Sequence, residues 1–181
     1  MTMQLKAPVL EKLQLEELKL QSTYIQEEDE PKKMATGLHG AISSNITGDL
    51  SVYVRSNKLG RVFDSSTTYN FRDGQPKRMP DVSFITQERV PTKLDEELSI
   101  APDLAVEVVS KNDTVFEVEV KVKQYQQAGV KLIWIVYPFS QTVEVYRLND
   151  KIGSQRFGGD GGLEGGEVLP GFKLAVSSIF E

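Results

Sequence analysis

Residues 99–138, SIAPDLAVEVVSKNDTVFEVEVKVKQYQQAGVKLIWIVYP, decide how this chain folds. Leu104–Val109 is a short run rich in β-branched residues, opened by Pro102, which suits the start of a strand. Side chains alternate faces along a strand, so Leu104, Val106 and Val108 share one face, while Asp103, Ala105, Glu107 and Val109 share the other. Two carboxylates therefore point the same way. After a break at residues 110–113, Thr114 and Glu117 have the spacing of a capping box, which predicts a helix running to about Ala128 and ended by Gly129. Its apolar stripe is Val115, Val118, Val122 and Tyr125, with Lys121 at the stripe's edge, where it can lean toward a sheet. Residues 131–136, KLIWIV, form a nearly continuous apolar run, as a strand covered on both faces requires. Strand, crossover helix and strand make a βαβ unit with a parallel pair.

Outward from this unit, the chain of 181 residues fits one domain with a sizeable core. Hydrophobic residues at 39% and charged residues at 26% are near globular norms, which argues against wholesale disorder. The chain has no cysteine, so a disulfide framework, a thiolate metal site and a thiol nucleophile are all excluded. A net charge of −5 argues against a surface that grips nucleic acid everywhere, while leaving room for a local basic groove. No leader pattern and no apolar run of the roughly 20 residues needed by a membrane helix is visible, so the expected address is the cytoplasm, with no membrane partner.

Residues 1–36 read as an N-terminal extension packing on the core, with a helix breaking near Ser22 and a short strand over 23–26. Residues 37–181 are the main domain. Leu38, Ile42, Ile46, Leu50 and Val54 recur every four residues and predict a core-facing helix over 36–56, closed by Gly60, with the lone histidine, His39, near its start. Strands are expected at 61–63, 67–71, 81–85 and 142–146, with a turn at 72–76 and an exposed loop over 87–99. The glycine-dense stretch 158–166 lacks a preceding strand and a Gly-Lys-Ser/Thr ending, so it reads as a hairpin connection, not a phosphate cradle. Residues 169–176 read as a turn followed by an apolar strand.

The chemistry rests on Asp81, which leads one strand after Pro80, and Glu107, inside another. If those strands are neighbours, the two carboxylates converge, and hard oxygen donors suit Mg2+ or Mn2+. A nearby lysine would help orient or deprotonate a metal-bound water and offset phosphate charge, which is metal-assisted phosphodiester hydrolysis. Glu107 is the hardest to read otherwise, because burying a lone carboxylate is costly unless it is paired or ligated. Plainer readings stand beside these. Asp103 can be a solvated strand-start residue, Lys121 can pair with Glu117 along the helix, Tyr125 can be core, and His39 can be a helix-end or surface imidazole.

Pro80-Asp81, Pro102-Asp103-Leu-Ala-Val-Glu107-Val-Val-Ser110, Lys121 and Tyr125, Gly129-Val130, residues 133–136 with Pro138, and the closing Leu169-Pro170-Gly171-Phe172 and Ile179-Phe180 together resemble the Uma-two family of endonucleases. That family belongs to the restriction-endonuclease-like, PD-(D/E)XK superfamily. The resemblance runs from about His39 to the end. It implies an α/β fold, a restriction-endonuclease-like core of mixed β-sheet flanked by α-helices, with Asp81 and Glu107 as metal ligands for Mg2+ (or Mn2+). The superfamily's lysine falls two residues after the glutamate, where this chain has Val109; in the Uma-two type it looks displaced onto the following helix, at Lys121. Glu117 and Tyr137 stand where relatives commonly carry aspartate, and His39 matches a histidine on the family's first core helix. The implied catalytic set is Asp81, Glu107 and Lys121, with His39, Asp103, Glu117 and Tyr125 as candidate cleft residues.

The function expected is that of a Mg2+-dependent endonuclease acting on nucleic acid, with DNA favoured as partner and a homodimer as the expected assembly. The competing readings are a noncatalytic interaction or nucleic-acid-binding module that keeps the nuclease fold, supported by the acidic charge and by Val109, and a hydrolase of another small phosphoester.

Overall fold

The computed structural model describes residues 36–71, 76–148 and 153–181. The readings for residues 1–35 and for the turn at 72–75 lie outside the described residues. Helix α1 (Gly37–Asn57) is followed by β1 (Gly60–Asp64), β2 (Val82–Thr86), a single 3-10 turn at Gln87–Arg89, and β3 (Leu104–Val108). Then come α2 (Val115–Gln127), β4 (Leu132–Tyr137), β5 (Thr142–Arg147), β6 (Ser154–Gly158), β7 (Gly162–Glu164), β8 (Lys173–Ala175) and the short α3 (Val176–Ile179).

Six strands form one sheet in chain order, β1 through β6. The β3–β4 pair is parallel, with Glu107 opposite Ile135, and the other neighbours are antiparallel. The parallel pair is the βαβ unit expected from residues 99–138, because only a crossover helix returns the chain to the same end of the sheet.

Strand alternation sends the apolar residues to two separate layers. Val82, Phe84, Leu104, Val106, Val108, Leu132, Trp134 and Val136 pack against Ile42, Ile46, Leu50 and Val54 of α1 and against the C-terminal segment. On the opposite face Ala105, Ile133 and Ile135 pack under Val118, Val122 and Tyr125 of α2. Leu38 and Val115, counted in the two stripes from sequence, are instead exposed. Each lies in the first turn of its helix, beyond the rim of the sheet.

Helix starts follow local chemistry. The Thr36 hydroxyl accepts from His39 N at 3.3 Å, and Thr114 with Glu117 forms the reciprocal capping box. Helix α1 ends at Lys58, which takes a left-handed conformation, so Gly60 opens β1 instead of closing the helix. The stretch 67–71 forms no strand; Tyr69 alone bridges Arg78 and Leu98, because its ring is buried and its hydroxyl meets Ser83 Oγ at 2.7 Å. The glycine-dense stretch contains β7, paired with β8, and Val176 begins α3 where the sequence suggested continued strand.

Gly60 has φ 148°, and a Cβ there would lie 2.0 Å from the Ile85 carbonyl oxygen. Gly48, inside α1, has nothing within 4 Å of its would-be Cβ. Gly60→Ala should therefore destabilise the protein by at least about 1–3 kcal/mol, while Gly48→Ala should stabilise it by about 0.5–1 kcal/mol. Urea midpoints of the two variants against the wild type check both signs.

Candidate active site

The site lies at the end of the sheet where β3 and β4 finish and β2 begins. Val82 pairs with Val106, and continuing that antiparallel register by one residue brings Asp81 opposite Glu107. Side chains so placed stand about 4.5–5.5 Å apart at Cβ, and like charges there repel. The Asp81 carboxyl is accordingly held above its ordinary value, first by burial and then by the Glu107 charge.

Each carboxylate has its own fixed partners. Asp81 Oδ2 accepts the Val108 backbone N–H at 2.7 Å and lies 3.3 Å from His39 Nε2, which α1 carries over the rim. Asp81 Oδ1 has no hydrogen-bond partner among the described residues. Glu107 is 7% exposed; its Oε2 accepts from Lys121 Nζ at 2.9 Å and its Oε1 accepts from Tyr125 OH at 2.5 Å. Lys121 and Tyr125 are four apart on α2 and so share the face that covers β3. The Glu107 charge is the main cause that raises the Lys121 ammonium above its ordinary value, so Lys121 stands here as a cation and not as a base. Burial, reinforced by that same carboxylate, pushes the Tyr125 phenol well above its ordinary value and keeps it a donor.

Asp81, Glu107, Lys121, Tyr125 and His39 are thus brought together. Lys121 pairs with Glu107, across from the sheet, and Tyr125 is both core and a partner of Glu107. Glu117 is spent on the helix start, its carboxylate accepting from Thr114 N.

Asp103 belongs elsewhere. It shares the Glu107 face but lies four residues earlier, about 13 Å along the strand, at the opposite end of the sheet. It is also fully buried and not a solvated strand start. Its Oδ1 lies 2.6 Å from Arg89 Nη1 and 3.1 Å from Lys131 Nζ, and its Oδ2 accepts from Thr86 N and Oγ1 at 2.9 and 3.0 Å. These donors outweigh burial and hold its carboxyl below the ordinary value.

Two residues that the sequence did not single out complete the surroundings. Gln124 is buried, accepts from Arg78 Nε through Oε1 and donates to the Pro76 carbonyl at 2.6 Å, tying α2 to the segment that leads into Asp81. The Arg78 guanidinium acts electrostatically on both Lys121 and Tyr125, and its Nη2 has no hydrogen-bond partner among the described residues. The available signal was a polar residue, Gln124, directly beside the apolar stripe at Tyr125.

Among the described residues, no group of three or more His, Cys, Asp and Glu side chains is arranged to hold a metal ion. The chain's own contribution to such a site is the Asp81–Glu107 pair of hard oxygen donors. Mg2+ commonly uses one or two carboxylates and keeps waters and substrate phosphate oxygens for the rest, so that donor set fits. No described helix is long and apolar enough to cross a membrane.

A mixed six-stranded sheet with a helix on each face has the architecture of the restriction-endonuclease-like fold. A crystal structure described as that of a "putative nuclease belonging to DUF820", from Anabaena variabilis, has this fold: it aligns with a TM-score of 0.72 and 24% identity over 83% of this chain and 84% of that one. Residues 9–177 match the Uma2 family, described as "Putative restriction endonuclease", and the chain belongs to that family. The match begins well before His39, where the resemblance read from motifs began. No curated protein matches the chain. The family and the fold together support a nuclease.

Because the Asp103 carboxyl is held below its ordinary value of 3.8, its stabilisation is fully present above that pH and is lost as pH falls through the folded value. Asp103→Asn should cost about 1–3 kcal/mol at pH 7, since the partly solvated Arg89 and Lys131 recover water when the charge is removed. Denaturant unfolding from pH 7 down to 3 should show the gap between wild type and variant narrowing toward acid.

Proposed function

We propose that this protein is a metal-dependent endonuclease that hydrolyses phosphodiester bonds of nucleic acid, with Asp81 and Glu107 as the residues that hold Mg2+ or Mn2+. The observation that carries this reading is the register that sets Asp81 opposite Glu107. Two acids so placed repel each other, and a cation held between them would offset that repulsion. The metal would supply Lewis acidity at the phosphate and a water more easily deprotonated than bulk water.

The chain's own residues do the rest. Lys121, kept protonated by Glu107, presents a fixed positive charge beside the carboxylates that can meet a non-bridging phosphate oxygen. Tyr125 clamps Glu107 Oε1, and Val108 N–H clamps Asp81 Oδ2, so both acids are oriented before substrate arrives. A carboxylate offers about four lone-pair sites, so Glu107 keeps acceptor capacity beyond Lys121 and Tyr125. DNA is the favoured substrate, following the family's description as a restriction endonuclease.

A noncatalytic reading draws on one observation: both Glu107 oxygens already have protein donors, as a purely structural ion pair would. Calorimetry with Mg2+ and Mn2+, alongside cleavage of mixed DNA and RNA, separates the two. Glu107→Gln should lower metal affinity and cleavage by about 100-fold or more, beyond the usual loss from an outer-shell partner, while circular dichroism remains native. Folded wild-type protein that binds neither metal nor nucleic acid would establish the noncatalytic module instead.

A further inference from the structure

Arg78 stands three residues before Asp81, in the segment that leads into β2. Its backbone is held at both polar groups: Arg78 N donates to the Tyr69 carbonyl at 2.9 Å, and Tyr69 N donates to the Arg78 carbonyl at 2.8 Å. Its side chain is held too, because Nε donates to Gln124 Oε1 on α2. Lys121 and Gln124 are three apart on that helix, so they lie side by side on one flank, about 5–6 Å apart at Cβ. Lys121 reaches Glu107, and Gln124 reaches Arg78. Arg78 therefore meets α2 one turn along from Lys121, over the sheet face that α2 covers, which is the face of Glu107 and of Asp81 opposite it.

This guanidinium has no anion. Arg78 is half-buried and makes no ion pair among the described residues, and its Nη2 is buried with no hydrogen-bond partner among them. A cation drawn partly out of water costs free energy unless an opposite charge compensates it. Other half-buried basic side chains here have that charge: Lys121 has Glu107, and Arg89 has Asp103. The acids close to Arg78 are committed elsewhere, Glu107 to Lys121 and Tyr125, and Asp81 Oδ2 to Val108 N–H and His39. A structural tie between α2 and the segment entering β2 does not call for a guanidinium, since Gln124 already makes one by donating to the Pro76 carbonyl. Gln124 takes one donor of a planar fork that suits phosphate oxygens, and the Nη edge is left over.

We infer that Arg78 is a phosphate-binding residue of this site, whose guanidinium takes an oxygen of the substrate phosphate next to the one that Lys121 meets. Its backbone and Nε are fixed before the ligand arrives, so little side-chain freedom is lost on binding. The kind of ligand rests on the nuclease reading above, but the contact itself needs neither metal nor cleavage.

The test is oligonucleotide binding by fluorescence anisotropy, in EDTA, over a series of salt concentrations, for wild type, R78Q, R78K and Q124A, with thermal melting to confirm folding. Loss of one phosphate contact in R78Q should reduce the magnitude of the slope of log affinity against log salt by about 1, and weaken binding alike for unrelated sequences. R78K keeps the charge and should recover most of the slope. Q124A breaks the hydrogen bond to Arg78 but keeps the guanidinium, so it should hold the wild-type slope; a fall equal to that of R78Q would make Arg78 a structural link and overturn the contact. An unchanged slope and affinity in R78Q also overturns it, as does wild-type protein that binds no oligonucleotide at low salt with or without Mg2+. If R78Q does not fold, the Arg78 Nε–H resonance of the wild type, assigned by its absence from R78K, should shift on adding oligonucleotide, and a resonance that stays in place overturns the contact. Cleavage by wild type with Mg2+ together with an unchanged R78Q slope leaves the nuclease standing without this contact. A reduced slope in a protein that never cleaves leaves the contact standing without the nuclease.

Discussion

The buried Glu107 carboxylate is the constraint around which the molecule is arranged. A charge in the middle of an apolar strand must find partners within its own fold or stay in water. Here α2 supplies both, Lys121 to one oxygen and Tyr125 to the other. That pairing sets how α2 lies on the sheet, because Val118, Val122 and Tyr125 can pack on Ala105, Ile133 and Ile135 only when the same helical face presents Lys121 to Glu107. Gln124 and Arg78 then link that helix to the segment entering β2, so the position of Asp81 depends on the same clamp.

β3 carries an acid at each end of one face, and their environments give them different work. Asp103 is surrounded by Arg89, Lys131 and the Thr86 donors, with the charge fully compensated and the carboxyl held low. It staples β2, β3 and β4 at the end remote from the site. At the other end Asp81 and Glu107 face each other, and the Asp81 carboxyl is held high. One end of the strand is electrostatically settled and the other is left in tension, which is where a cation or a substrate has something to gain.

Some of this was legible in the residues alone. The βαβ unit, the capping box at Thr114 and Glu117, and the four-residue period of α1 each depend on local pattern, and each stands in the structure as read. The stripe ends were misjudged at Leu38 and Val115 because periodicity says which way a side chain points and not whether anything lies beneath it. Tyr69 was read into a strand for a related reason: its β-forming neighbours gave the pattern, while burial of its ring beside Ser83 governed the backbone. For the site, Glu107 drew attention as a charge in an apolar run, but Arg78 and Gln124 carried no comparable signal. Their importance comes from contacts between residues 46 and 48 positions apart.

The sequence by itself determined the local elements, the βαβ crossover, the absence of thiol chemistry and the presence of acids at two strand positions, because all of these follow from residue type and spacing within a dozen or so residues. The tertiary structure alone decided which acids meet. Asp103 and Glu107 share a strand face, yet only the antiparallel register of β2 on β3 selects Glu107 to stand opposite Asp81, and only the lie of α2 gives Lys121 to Glu107 and not to Glu117. Registers and helix placements are fixed by packing between distant segments, and no local pattern contains them.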